Sequence, residues 1–194
     1  MSNIHPILLE DLSSIAARFP HWERLRGTSV LVTGATGLVG SMLVRALCAA
    51  PVPITVIAHV RNEQKARDMF GDLPISYCPG DVTKPVRFDG PVDHIFHTAS
   101  VTASKAFVSQ PVQTLTTAID GTRNLLEFAR EKGVRSMVYV SSMEASASRT
   151  RPFRGSRKPT WATSTFSRSA PAIPRASASA NVSAPPTPVS TACP

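Results

Sequence analysis

At 194 residues and 42% apolar, the chain can build one sizeable hydrophobic core and is short for several domains. Its formal net charge of +8 is unevenly placed: all 13 acidic residues lie at or before Glu144, while residues 145–194 hold 7 Lys or Arg, 8 Pro and 10 Ser. The pI near 10.1 therefore belongs to the tail. Its cations are scattered among Ser, Pro and Ala without an aromatic or Gly-rich stacking pattern, which argues against specific nucleic-acid binding.

In chain order, apolar residues at helical spacing (Leu8, Leu9, Leu12, Ile15, Ala16, Phe19) predict an amphipathic helix over residues 7–19, ended by Pro20. Residues 29–33 (Ser-Val-Leu-Val-Thr) form an apolar, β-branched run, then comes a glycine turn and a helical pattern over 38–49. A second strand is expected over 54–60, a polar helix over 62–70, a third strand over 75–78 and a fourth over 94–98. A long helix over 112–132 and a fifth strand over 136–141 complete the series. Strands that are continuous apolar runs, alternating with helices, predict an α/β fold with a doubly wound parallel sheet covered on both faces.

The expected organisation is an N-terminal helical extension (1–26), an incomplete dinucleotide-binding domain (27–145) and a disordered Ser/Pro/Ala-rich tail (146–194). The three cysteines, Cys48, Cys78 and Cys193, have no metal-ligand spacing and fit a reducing cytoplasm. Residues 1–10 contain no basic region followed by an apolar core, so no signal peptide is expected. The most apolar stretch, residues 29–60, is broken by Gly34, Gly37, Gly40, Arg45 and two prolines, which excludes a membrane span there.

The chemistry begins at Thr33-Gly34-Ala35-Thr36-Gly37-Leu38-Val39-Gly40. A strand, three glycines at this spacing and a following helix suit a turn on which a pyrophosphate rests against the helix N-terminus. At the end of the second strand, where an NAD site normally places Asp or Glu to hold the adenosine ribose, the chain has His59-Val60-Arg61-Asn62. Arg61 can pair with a ribose 2′-phosphate, so the cofactor expected is NADP or NAD, with NADP favoured.

These motifs, with Asp81-Val82, His97-Thr98-Ala99-Ser100, Gly121-Thr122-Arg123-Asn124-Leu125-Leu126-Glu127 and Tyr139-Val140-Ser141-Ser142, resemble the extended short-chain dehydrogenase/reductase family. That family comprises NAD(P)-dependent sugar-nucleotide epimerases and dehydratases, and the resemblance covers residues 29–144. It implies a Rossmann-like fold, an adenine contact from Asp81-Val82, passage of Ala99 and Ser100 beneath the cofactor, and a strand through Ser141 that delivers Ser142. Ser142 would donate a hydrogen bond to a substrate oxygen, and Glu144 would act as an acid–base group or simply open a loop. The resemblance also implies a nucleotide-sugar substrate and room for a homodimer in a full-length form, and with the apolar stretch interrupted no membrane partner is expected. Ala118 stands where many members have asparagine, and Met143 where the dehydratase subgroup has an acid, which makes a 4,6-dehydratase less expected than an epimerase, decarboxylase or reductase.

The family's catalytic tyrosine, and the lysine four residues beyond it, have no counterpart: no tyrosine follows Tyr139, and Lys158 is the one later lysine. Read one base earlier, the codons of residues 172–177 permit Tyr-Pro-Glu-Ser-Lys, and those of 160–166 permit Asp-Val-Gly-Tyr-Ile-Asp-Leu, both family-like. The expectation is a tail out of frame with the domain, C-terminal truncation of the fold and an inactive chain. The alternative is a non-catalytic NAD(P)-binding protein whose basic tail is an interaction arm.

Overall fold

The computed structural model describes residues 5–102 and 108–141. Among these, α1 (Pro6–Arg18) and a 3-10 turn (Trp22–Leu25) precede β1 (Ser29–Thr33), α2 (Leu38–Cys48), β2 (Thr55–Val60), α3 (Glu63–Phe70) and β3 (Ile75–Pro79). β4 (His94–His97), α4 (Pro111–Lys132) and β5 (Ser136–Tyr139) follow. The strands form one parallel sheet in the order β3-β2-β1-β4-β5. This is the doubly wound, Rossmann-like arrangement, whose strand order reverses between β1 and β4.

Local chemistry explains the element ends. Pro6 opens α1, whose first turn is capped by the His5 ring accepting from the Ile7 N–H at 3.3 Å. Asn62 stands outside α3 as its N-cap, accepting from the Lys65 N–H at 2.9 Å, and Gly71 ends that helix at φ +57°. The expected strand over 94–98 stops at His97, because Thr98 leaves the ladder and donates its hydroxyl to the Thr33 carbonyl at 2.7 Å.

Among the described residues, 5–100 with 120–140 form one compact unit, and 101–102, 108–119 and 141 belong to another. In the first unit, alternate residues of the central strands feed two core layers. Val30, Val32, Val56 and Ala58 pack with Val44 and Leu47 of α2 and Phe70 of α3. On the opposite face Leu31, Ile57 and Ile95 pack with Leu125 and Phe128 of α4. The 3-10 turn was not foreseen, and it brings Trp22 into the first layer, its indole N–H donating to the Ala16 carbonyl at 2.9 Å. β1 is buried at every position, whereas β5 alternates between exposed and half-buried. Coverage of both faces thus holds at the sheet centre and thins at β5. In the second unit the described residues supply the start of α4, where the Thr114 hydroxyl bonds the Gln110 carbonyl at 3.0 Å. No helix among the described residues is long and apolar enough to cross a membrane.

Candidate cofactor site

The ends of β1 and β4 lie side by side at the strand-order reversal, where open α/β sheets bind ligands. Gly34 leaves β1 at φ +65°, and a Cβ there would lie 2.8 Å from both Cα and N of Ala99. Glycine is required on both counts, since the left-handed conformation disfavours a side chain and the β4 loop occupies its space. Gly37 is the N-cap of α2 and supplies no side-chain acceptor, so the opening N–H groups of that helix are available to an outside anion. Ala35 is buried, Thr36 half-buried, and Leu38 extends into solvent at 87% exposure. A tight glycine turn beneath an uncapped helix start fits a pyrophosphate.

The β4 loop is clasped to β1. Thr98 bonds the Thr33 carbonyl, and the Ala99 N–H donates to Thr33 Oγ1 at 3.3 Å. Ala99 is half-buried there and Ser100 exposed. At the end of β3, Asp81 Oδ1 accepts from both the N–H and the hydroxyl of Thr83 at 2.9 Å. The Thr83 N–H chiefly holds the Asp81 carboxyl below the usual carboxylate range, with attraction from Arg61 and His59 adding to it against partial burial. Val82 is buried, and its carbonyl accepts from the Asn124 side chain at 2.8 Å, tying this loop to α4. Arg61 is exposed just beyond β2 and makes no hydrogen bond or ion pair among the described residues. The glycine turn, Asp81, Val82, Arg61, Ala99 and Ser100 all belong to the first compact unit. Ser141 is exposed and belongs to the other, while Ser142, Glu144 and the tail lie outside the described residues.

Sequence reasoning passed over the polar row beneath this site. Cys78, His59, Thr33, His97 and Tyr139 are consecutive ladder partners across all five strands. Thr33 Oγ1 lies 2.8 Å from His97 Nδ1. The signal was available in polar residues closing otherwise apolar strands. Burial pushes the His97 imidazole down to about 4, with the nearby His59 adding repulsion. His59 is also lowered by burial, opposed by the Asp81 carboxylate.

An acid dependence follows. With an unfolded value near 6.5 and a folded value near 4, the unfolded chain binds more protons between these limits. The contribution of His97 is complete above about pH 6.5 and is lost as pH falls to about 4. Urea unfolding at pH 5 is expected to show about 2 kcal/mol less stability than at pH 7.5 from His97, and His97→Asn should lose that increment.

The model of the NAD dependent epimerase/dehydratase family matches residues 30–170. The chain belongs to that family. Among curated members it is similar to UDP-glucuronic acid decarboxylase 2 of Arabidopsis thaliana, 31% identical over 139 residues, which are 69% of this chain and 31% of that protein. UDP-N-acetyl-alpha-D-glucosaminuronate decarboxylase of Bacillus cytotoxicus is 27% identical over 126 residues, 63% of this chain and 39% of that one. The chain thus spans about a third of the length of such relatives. Among solved structures, Pen from Bacillus thuringiensis aligns with TM-score 0.55 and 27% identity, covering 63% of this chain and 40% of that chain. The UDP-glucose 4-epimerase of Bifidobacterium longum in complex with NAD+ and UDP aligns at TM-score 0.58 over 80% of this family member and 47% of the epimerase, with 18% identity, a likeness of fold.

Proposed function

We propose that this family member is the cofactor-holding portion of a nucleotide-sugar oxidoreductase, that it prefers NADP, and that it binds cofactor without completing turnover. The observation that carries the reading is the clasped glycine turn at the β1/β4 reversal, with Asp81 and Arg61 at neighbouring strand ends. The α2 amides would hold the pyrophosphate, Asp81-Val82 the adenine, Arg61 the 2′-phosphate, and Ala99 and Ser100 the underside of the cofactor. Bound nicotinamide would supply hydride transfer. Ser142 would hydrogen-bond a substrate oxygen and Glu144 would serve acid–base chemistry, on a UDP-sugar such as those named for the decarboxylase relatives.

The proposed lack of turnover rests on the absence of any tyrosine after Tyr139. The same absence supports the second reading, a binding protein with a basic arm. An out-of-frame junction between 144 and about 155 would account for it, and the coding DNA read one base earlier should then encode the missing Tyr and Lys. Stop codons in that frame would sink the junction.

Calorimetric titration should show NADP+ binding roughly tenfold or more tighter than NAD+, the scale of a charge-assisted contact to phosphate. Arg61→Ser should abolish that difference while leaving NAD+ affinity unchanged. Equal affinities in the wild type would count against the NADP preference, and UDP-sugar turnover by this chain against the proposed inactivity.

A further inference from the structure

We propose that His97 is a positioning residue for the cofactor site: its Nδ1 sets the Thr33 hydroxyl so that the hydroxyl oxygen receives the Ala99 amide, clamping the β4 loop under the glycine turn. The inference rests on the cofactor reading of that turn for its consequence, and on the chain's own geometry for its substance.

The Thr33 hydroxyl has one hydrogen to give. Its oxygen takes the Ala99 N–H at 3.3 Å, and the acceptor in reach of its hydrogen is His97 Nδ1 at 2.8 Å. The ring is 1% exposed, and burial keeps it neutral at ordinary pH, so one ring nitrogen carries the proton; we place it on Nε2, which leaves Nδ1 to accept. The titratable groups near the ring are His59 of β2, one strand beyond β1, and Tyr139 of the adjacent β5, whose ring centroid lies 5.4 Å from that of His97.

Nε2 is buried and meets no hydrogen-bond partner among the described residues. A buried N–H without a partner costs free energy that an apolar side chain would avoid, so packing alone does not account for histidine here. What the imidazole provides is the acceptor at Nδ1. The clamp is tight where it matters, since a Cβ on Gly34 would meet Ala99 and one on Gly40 would approach Thr98 Oγ1 to 2.9 Å. If the hydroxyl turned, Ala99 would lose its acceptor, and the loop beneath the cofactor would lose one of its two ties to β1.

The test uses the 194-residue chain and follows amide hydrogen exchange at Ala99 by NMR, beside NAD+ titration. His97→Leu should speed Ala99 exchange roughly tenfold, the scale of one net hydrogen bond, while amides of residues 30–32 stay protected. His97→Asn, whose Oδ1 can accept where Nδ1 does, should restore both exchange and NAD+ affinity to within about threefold of wild type. Should His97→Leu fail to fold, Thr33→Val keeps the β-branched shape, removes the hydroxyl and should speed Ala99 exchange by the same factor. Unchanged Ala99 exchange in either variant, or an asparagine variant no better than the leucine one, would overturn the proposal. The exchange result with no NAD+ binding by the wild type would uphold the clamp and count against the cofactor reading alone.

Discussion

Replacing Gly40 with alanine should cost roughly tenfold to hundredfold in NAD+ affinity, the scale of overpacking a tight backbone contact in the binding turn. A Cβ at this first-turn position of α2 would collide with the Gly34 carbonyl and approach Thr98 Oγ1 to 2.9 Å. Most of the obstruction is main chain, so relief requires α2 to back away from the glycine turn. That motion shifts the amides proposed to hold the pyrophosphate. Overpacking a tight contact costs about 1–3 kcal/mol, and the upper end is expected because a backbone cannot rotate aside. Gly133→Ala is the control: Gly133 has φ +66° but nothing within 4 Å of its Cβ position. It should lose about 1–2 kcal/mol from left-handed strain and leave NAD+ affinity intact. Titration and urea unfolding read both quantities, and wild-type NAD+ affinity in Gly40→Ala would remove the glycine turn from the cofactor site.

Leu31→Ala is expected to be the most destabilising truncation in the sheet, at about 3–5 kcal/mol. Leu31 has 0% exposure at the centre of the middle strand and packs with Ile57, Ile95, Leu125 and Phe128. Two flanking strands and α4 surround the cavity it would leave, so collapse around it is limited. Val138→Ala, on β5 at 47% exposure, should cost less than about 1 kcal/mol. Comparable losses for the two in urea unfolding would contradict the buried central position of β1.

Much of this was legible along the chain. The strands over 29–33 and 54–60 were readable because apolar β-branched runs have few other uses, and the structure places them at Ser29–Thr33 and Thr55–Val60. The glycine spacing marked the turn, and the helix boundaries agreed to within a residue because Pro6, Asn62 and Gly71 act on the backbone beside them. Strand ends were less legible: residue 98 reads as strand by composition but bonds across to Thr33. Trp22 gave no periodic signal, since a single turn of 3-10 helix is too short to show one.

Sequence alone determined the class of fold, the existence and place of the glycine turn, and the charge break after Glu144, because each depends on residue type at short spacing. Tertiary structure decided what meets at the turn. Thr33 reaches His97, 64 positions away, and Ala99, 66 positions away, only because β4 inserts beside β1 on the side opposite β2. Strand order is set by which apolar faces can be buried together and by the hand of the crossovers, properties of the whole sheet that no local pattern contains. The same assembly lowered the proton affinity of two buried histidines, since burial depends on neighbours that arrive from distant parts of the chain.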